Sequence, residues 1–230
     1  MSIRHGALEL PDVAGAVHGW VRRALDLGIA GSAVIVLAPL FGLIALVLYL
    51  EGGRPILFAQ TRIGAGGRPF RMYKFRKFHT RCDSSGCPLT VEHDSRMTPS
   101  GRILAATKLD ELPQLWNVLS GDMAIVGPRP ESLAFIDCFR GGYEDVLRYK
   151  PGLLGPSQVL FRHEARLYPS SEEPTRFYRR VLFPAKAKLD LAYFPHRTIA
   201  SDVAWMARGA MAILGWVPAA PNPESRRHLP

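Results

Sequence analysis

Two neighbouring carboxylates, Asp110 and Glu111, sit in the stretch richest in reactive side chains, TKLDELPQLWNVLSGDMAIVGPRPE over residues 107–131. Adjacent acids suit one chemistry in particular. Together they hold a divalent cation while an oxygen of one attacks phosphorus. The same residues also suit a plain structural role. Leu112, Leu115, Val118 and Leu119 recur at helical spacing, and Pro113 fits a first helical turn, where its missing N–H is not needed. Asp110 is then a helix N-cap, contributing about 1 kcal/mol, and Glu111 a first-turn acid favoured by the helix dipole. On local spacing alone the cap outweighs the nucleophile. A helix N-terminus nevertheless keeps a carboxylate ionised and attracts phosphate to its free N–H groups.

Two further groups fit an anionic substrate. Arg129 lies between Pro128 and Pro130, which fix the backbone and lower the entropy cost of presenting a guanidinium suited to bidentate phosphate binding. The alternative is a rigid turn with a structural Arg–carboxylate pair. In YKFRKF, Lys74 and Arg76 point to one face if the segment is a strand, and together could clamp a diphosphate. The alternative is an edge strand protected by charge.

The elements that must position these residues follow from the hydrophobic pattern. From Leu27 to Leu50 there are 24 residues without a charged side chain. A helix of that length reaches about 36 Å, against about 30 Å for a bilayer core. Pro39 interrupts it, and both flanks are basic: Arg22 and Arg23 before, Arg54, Arg62, Arg68 and Arg71 after. A bend at Pro39 that returns both ends to one side satisfies the charge rule; a kinked spanning helix is the alternative. ILFAQTRI and PFRMYKF alternate as short strands of a hairpin, with glycine pairs at 52–53 and 66–67 as turns. Residues 81–100 read as a polar loop, and 101–120 as two helical pieces. MAIV at 123–126 reads as a short buried strand, 131–150 as an amphipathic helix and 150–159 as extended. Residues 172–192 and 199–216 read as two more helices. The organisation expected is a lead over 1–18, a bent membrane helix over 19–51, a catalytic domain over 52–216 and a disordered tail over 217–230.

The charge balance narrows the partners. The formal net charge is +9, and the first 50 residues carry three basic and three acidic side chains, so the whole excess lies beyond them. Such an excess suits phosphorylated substrates, anionic lipid headgroups or nucleic acid; the apolar segment favours the first two, and no nucleic-acid motif appears. Three cysteines form no disulfide framework and read as reduced thiols. His79, Cys82, Cys87 and His93 lack the tight CxxC pair of a zinc site.

These motifs together, TKLDELPQLWNVLSGDMAIVGPRPE with RIGAGGRPFRMYKFR upstream and KPGLLGPSQV downstream, resemble the bacterial sugar transferases, the small monotopic phosphoglycosyl transferases. The resemblance runs from about Val21 to about Leu214. It implies a mixed α/β, mostly helical monotopic membrane protein with an N-terminal re-entrant helix broken at Pro39 and a short β-hairpin. It also implies a place on the cytoplasmic face of the bacterial inner membrane, among membrane lipids. The implied reaction passes a sugar-1-phosphate from a UDP-sugar to polyprenyl (undecaprenyl) phosphate, initiating assembly of a glycan. Asp110 is the implied nucleophile and Glu111 its partner, with Mg²⁺ held by both. UMP leaves, and a covalent phosphosugar–Asp110 intermediate is attacked by the lipid phosphate. Lys74 and Arg129 match phosphate-contacting positions, and Arg76 belongs to the same motif.

The chain departs from the pattern at two places. Ala38 precedes Pro39 where the family usually has Ser. Ala105 stands where many members carry Arg, so Arg102, Lys108 or a residue from the C-terminal part must compensate, or the chain is an impaired member acting as a membrane scaffold. Arg162, Glu164 and Tyr178 are candidates for reading the nucleotide sugar. The sugar, the glycan pathway and the oligomeric state are left open by the sequence.

Overall fold

The computed structural model describes residues 16–80, 89–91, 94–213 and 215. Most of the expected lead, the 217–230 tail, and Cys82, Cys87 and His93 lie outside the described residues.

The apolar segment forms two helices, α1 (Ala16–Val36) and α2 (Ala38–Gly52), bent by 59°. The break falls at Leu37, two residues before the proline. Pro39 sits in the first turn of α2, where the absent N–H leaves no helical bond unmade. Among the described residues no single helix is long and apolar enough to cross a membrane, whereas this bent pair together has the length and composition. The pair is anchored at both ends. In α1, Arg23 donates to the Val118 and Leu119 carbonyls, Arg22 pairs with Asp202 at 3.0 Å, and Asp26 accepts the Ile125 amide. In α2, Ile44 and Leu48 pack on Phe75 and Leu104. Ile35 and Leu50, each 75% exposed, continue with Val36, Leu43 and Leu46 into an open apolar surface.

The expected hairpin is present as β1 (Leu57–Ile63) and β2 (Pro69–Phe75), antiparallel from Leu57↔Phe75 to Ile63↔Pro69. Helices α3 (Pro99–Thr107) and α4 (Gln114–Ser120) follow, then β3 (Ala124–Val126), which pairs in parallel with β4 (Gly152–Leu154). The parallel pair requires a crossover, and residues 127–151 supply it. The single amphipathic helix expected over 131–150 is instead two 3₁₀ segments, Leu133–Phe139 and Glu144–Arg148. Gly141 and Gly142 between them have φ 84° and 116°, a left-handed pair that ends any helix. The apolar spacing survives as burial of Phe135, Phe139 and Val146.

Helix α5 (Pro156–Leu160) leads to α6 (Pro174–Phe177) and α7 (Phe183–Tyr193), joined through a π-type turn over Tyr178–Leu182. This is the continuous helix expected over 172–192, locally widened where Pro184 lacks the N–H that would bond one turn back. Helix α8 (Ile199–Ile213) closes the described chain. Two further apolar clusters form the core. One joins α1, α4 and β3 through Ala30, Leu115, Val118 and Ile125; the other joins the 3₁₀ segments to α7 through Phe135, Phe139, Tyr178 and Phe183.

Candidate active site

Helix α3 begins at Thr98, whose side chain accepts the Gly101 amide at 2.9 Å, and ends at Lys108 in the left-handed conformation, φ 63°. A non-glycine residue there is uncommon and mildly strained. It turns the chain sharply into a 3₁₀ segment, Leu109–Glu111, that holds the two acids. The expected N-cap role of Asp110 is not what forms. The amides that a cap would serve are taken by short backbone bonds, Glu111 to Lys108, Leu112 to Leu109, and Leu115 to Leu112, and α4 starts only at Gln114. Asp110 is thereby relieved of capping. It is 2% exposed, and its Oδ1 is buried without a hydrogen-bond partner.

An unpartnered buried carboxylate oxygen is costly unless something else meets it. Burial raises the Asp110 pKa above the usual carboxylate value, with the Lys74 charge pulling it back down. Glu111 is the opposite case. Burial acts against its charge, but Lys74, Arg129 and Lys108 hold it well below the usual value. Lys74 Nζ donates to Glu111 Oε1 at 2.8 Å, and Arg129 Nη2 lies 3.7 Å from the same oxygen. Glu111 is thus a fixed anion that aims two cations at the space before Asp110. The neighbouring groups have been pushed apart electrostatically, the pattern expected where one is to react.

Of the residues singled out from the sequence, Asp110, Glu111, Lys74 and Arg129 converge. Arg76 lines the same cavity, but its guanidinium N–H groups are directed elsewhere. The strand ends at Phe75, so the alternation that would have placed Arg76 beside Lys74 stops there. Its guanidinium instead donates to the carbonyls of Leu48, Gly52 and Gly53 at 2.8–3.3 Å, closing the C-terminal end of α2. Pro39 lies in α2, remote in sequence from the acids and serving the bend.

Three residues that hold the site were not singled out beforehand. Asn117, fully buried, accepts the Tyr73 amide and donates to the Arg71 carbonyl, so α4 grips the free edge of β2 one residue from Lys74. Lys186, 3% exposed, donates to Glu131, Glu164 and Tyr178 at 2.9–3.1 Å. That network sets the wall beside Arg129 and absorbs Glu164 and Tyr178. Lys77 lines the same cavity, with its pKa lowered by burial to about 8 against the opposing pull of Asp110. A polar residue on a buried helix face, such as Asn117, was the one legible signal among them.

The cavity has a volume of about 600 Å³ and reaches from the two acids to Arg162 and Glu164. Arg102, Ala105, Ala106 and Lys108 form its α3 wall. Arg162 reaches that wall from the C-terminal part, with Nη2 3.4 Å from the Ala106 carbonyl. The lining includes the cations Arg62, Lys74, Lys77, Lys108, Arg129 and Arg162. The arrangement suits a polyanionic ligand next to a carboxylate nucleophile.

The comparisons with known proteins point to transferases of sugar phosphates. The chain is 45% identical over 162 residues, 69% of its length, to a UDP-glucose:undecaprenyl-phosphate glucose-1-phosphate transferase of Caulobacter vibrioides. It is 35% identical over 154 residues, 65% of its length, to a UDP-N-acetylgalactosamine-undecaprenyl-phosphate N-acetylgalactosaminephosphotransferase of Aeromonas hydrophila. It is 40% identical over 150 residues, 60% of its length, to an exopolysaccharide production protein of Rhizobium leguminosarum bv. phaseoli. These matches span 59%, 36% and 73% of the respective relatives. Residues 17–215, which carry the bent helix pair, the hairpin and every side chain of the cavity, match the family model described as bacterial sugar transferase, and the chain belongs to that family.

Proposed function

We propose that this chain transfers a sugar-1-phosphate from a UDP-sugar to undecaprenyl phosphate through a covalent intermediate on Asp110. The observation that carries the reading is the buried Asp110, one oxygen of which has no hydrogen-bond partner, in the lining of a cavity it shares with Lys74 and Arg129. In the first step an Asp110 oxygen forms a bond to the sugar-linked phosphorus, and the bond from that phosphorus to UMP breaks. In the second, an oxygen of the lipid phosphate attacks the same phosphorus and the Asp110 carboxylate leaves, giving a polyprenyl diphosphate sugar. Lys74 and Arg129, oriented by Glu111, neutralise the diphosphate so that an anion can approach it, which is electrostatic catalysis. Desolvation of Asp110 destabilises its charged ground state and leaves it weakly hydrated for attack.

The residues present fit a Mg²⁺ ion. Among the described residues no group of three His, Cys, Asp or Glu could hold a metal, but Mg²⁺ is commonly bound by one or two carboxylates and completed by substrate phosphates. Asp110 Oδ1 and Glu111 would supply the protein's share. The bound ion would act as a Lewis acid on the phosphoryl oxygens.

The reading includes the membrane. The bent pair exposes several large apolar side chains, among them Ile35, Val36, Leu43, Leu46 and Leu50. Both ends of the pair dock on the same globular body, α1 through Arg22 and Arg23 and α2 through Arg76. That supports re-entry; on the cytoplasmic side of the bacterial inner membrane such a pair would bring the cavity near the lipid phosphates, a proximity effect.

The test is incubation of the purified protein with UDP-sugars labelled in the sugar. Label is expected on the protein and absent in Asp110→Asn. Neither labelling nor UMP release across a panel of UDP-sugars would refute the enzyme reading and leave a scaffold.

A further inference from the structure

Several of the cations on the wall by the two acids are paired with carboxylates. Lys74 and Arg129 share Glu111, and Lys186 takes Glu131 and Glu164. Lys77 differs. Its ammonium lines the cavity half-buried, and among the described residues its hydrogen-bond partner is a neutral group, the Thr90 hydroxyl at 3.1 Å. An ammonium has three donors, so two remain for the cavity. A buried cation without an anion is unfavourable on its own, and an anionic ligand is what relieves it.

The backbone around Lys77 is held from two sides. Its carbonyl accepts the Thr98 amide at 3.0 Å, and the next residues pair with the strand-like stretch before α3, Phe78 with Met97 and the His79 amide with the Arg96 carbonyl at 3.0 Å. Helix α3 comes so close that a Cβ on Gly101 would lie 2.0 Å from the Lys77 carbonyl oxygen. Glycine is required there, and the tight contact fixes Lys77 against the N-terminal turn of α3. The opposite end of α3 presents Ala105 and Ala106 to the cavity, so the helix itself offers no charge at that point.

We propose that Lys77, rather than Arg76, is the cation that works with Lys74 on the substrate's diphosphate. Lys74 and Arg129 hold the side next to Glu111, and Lys77 lines the same cavity just past the end of β2, where its backbone lies against the start of α3. The depressed Lys77 pKa has burial as its first cause and Asp110 as the charge that opposes it, which agrees with an ammonium set near the reacting carboxylate. In this position it contacts the phosphate oxygens of a nucleoside diphosphate and binds substrate directly. The inference rests on the transfer reaction proposed above for the ligand's identity, but the anion site itself does not.

The experiment uses the full chain reconstituted in lipid nanodiscs and carrying Asp110→Asn, so that nothing turns over. Inorganic pyrophosphate and, separately, UDP are titrated by calorimetry. Lys77→Met is expected to weaken both about 10- to 100-fold, the range of one lost charge-assisted hydrogen bond, with an unchanged melting temperature. Lys77→Arg keeps the charge and is expected to restore most of the loss. Pyrophosphate affinity within twofold of the parent in Lys77→Met, or no pyrophosphate binding by the parent, overturns the proposal. Sugar labelling of the wild-type chain is run alongside. No labelling together with Lys77-dependent pyrophosphate binding would keep the anion site and sink the transfer reading. Normal labelling together with Lys77-independent binding would do the reverse.

Discussion

Asn117 is where the geometry of the site is most exposed to a single substitution. Its carboxamide replaces a neighbouring strand along the free edge of β2, accepting the Tyr73 N–H at 3.0 Å and donating to the Arg71 carbonyl at 2.7 Å. With Asn117 fully buried, Asn117→Ala leaves one backbone donor and one acceptor unpaired. Each unsatisfied group costs about 1–3 kcal/mol, so the loss is about 2–6 kcal/mol, reduced where water fills the vacated space. Against a typical total of about 5–15 kcal/mol the protein still folds, but with a looser β2 edge beside Lys74. Asn117→Asp keeps the acceptor for Tyr73 and sets a second oxygen against the Arg71 carbonyl, so it is expected to be no better than alanine. The assay is amide hydrogen exchange of Tyr73 together with the denaturant midpoint. Tyr73 exchange should accelerate at least about tenfold in Asn117→Ala, since tenfold corresponds to about 1.4 kcal/mol. A Tyr73 amide exchanging at the parent rate, with an unmoved midpoint, would refute the view that α4 fixes the edge of the hairpin.

Two other predictions concern stability and topology. Burial pushes the Asp190 pKa up to about 7, with the Ser157 hydroxyl bond and Lys186 opposing. Because the folded state keeps a proton that the unfolded chain releases from about pH 4, this group favours folding most below that pH, and the benefit is lost as pH rises to about 7. Urea midpoints from pH 4.5 to 8 should therefore fall less steeply in Asp190→Asn than in the parent; parallel profiles would contradict the buried-acid assignment. For the membrane pair, a cysteine introduced at His5 in a background without the native cysteines should be shielded from an impermeant thiol reagent in intact cells. Ready labelling there would favour a spanning helix over re-entry.

Much of the architecture is local and was legible in the residues. A 24-residue uncharged run with a proline inside it points to two helices and a bend, because proline fits the first turn of a helix and not its interior. The alternation of LFAQTRI and PFRMYKF around a glycine turn dictates the hairpin, since its pairing is set by the period of two and the turn between. The Asp110–Glu111 pair, Lys74 and the proline-flanked Arg129 were visible as reactive types in rigid settings, although spacing alone favoured a cap for Asp110. What the chain could not reveal locally depends on where elements end and what they pack on. Strand parity predicted Arg76 beside Lys74, but β2 stops at Phe75, and packing of α2 on the hairpin offers Arg76 three carbonyls instead. The same end of the strand turns Lys77 into the cavity, held there by the close passage of α3 at Gly101. Asp110 became an unpartnered buried carboxylate because the left-handed Lys108 forced a tight turn whose amides satisfied one another. Sequence pattern therefore supplied the reactive groups and the elements that carry them. Tertiary packing decided which groups are desolvated and which are already paired, because burial and pairing depend on contacts between segments far apart in the chain.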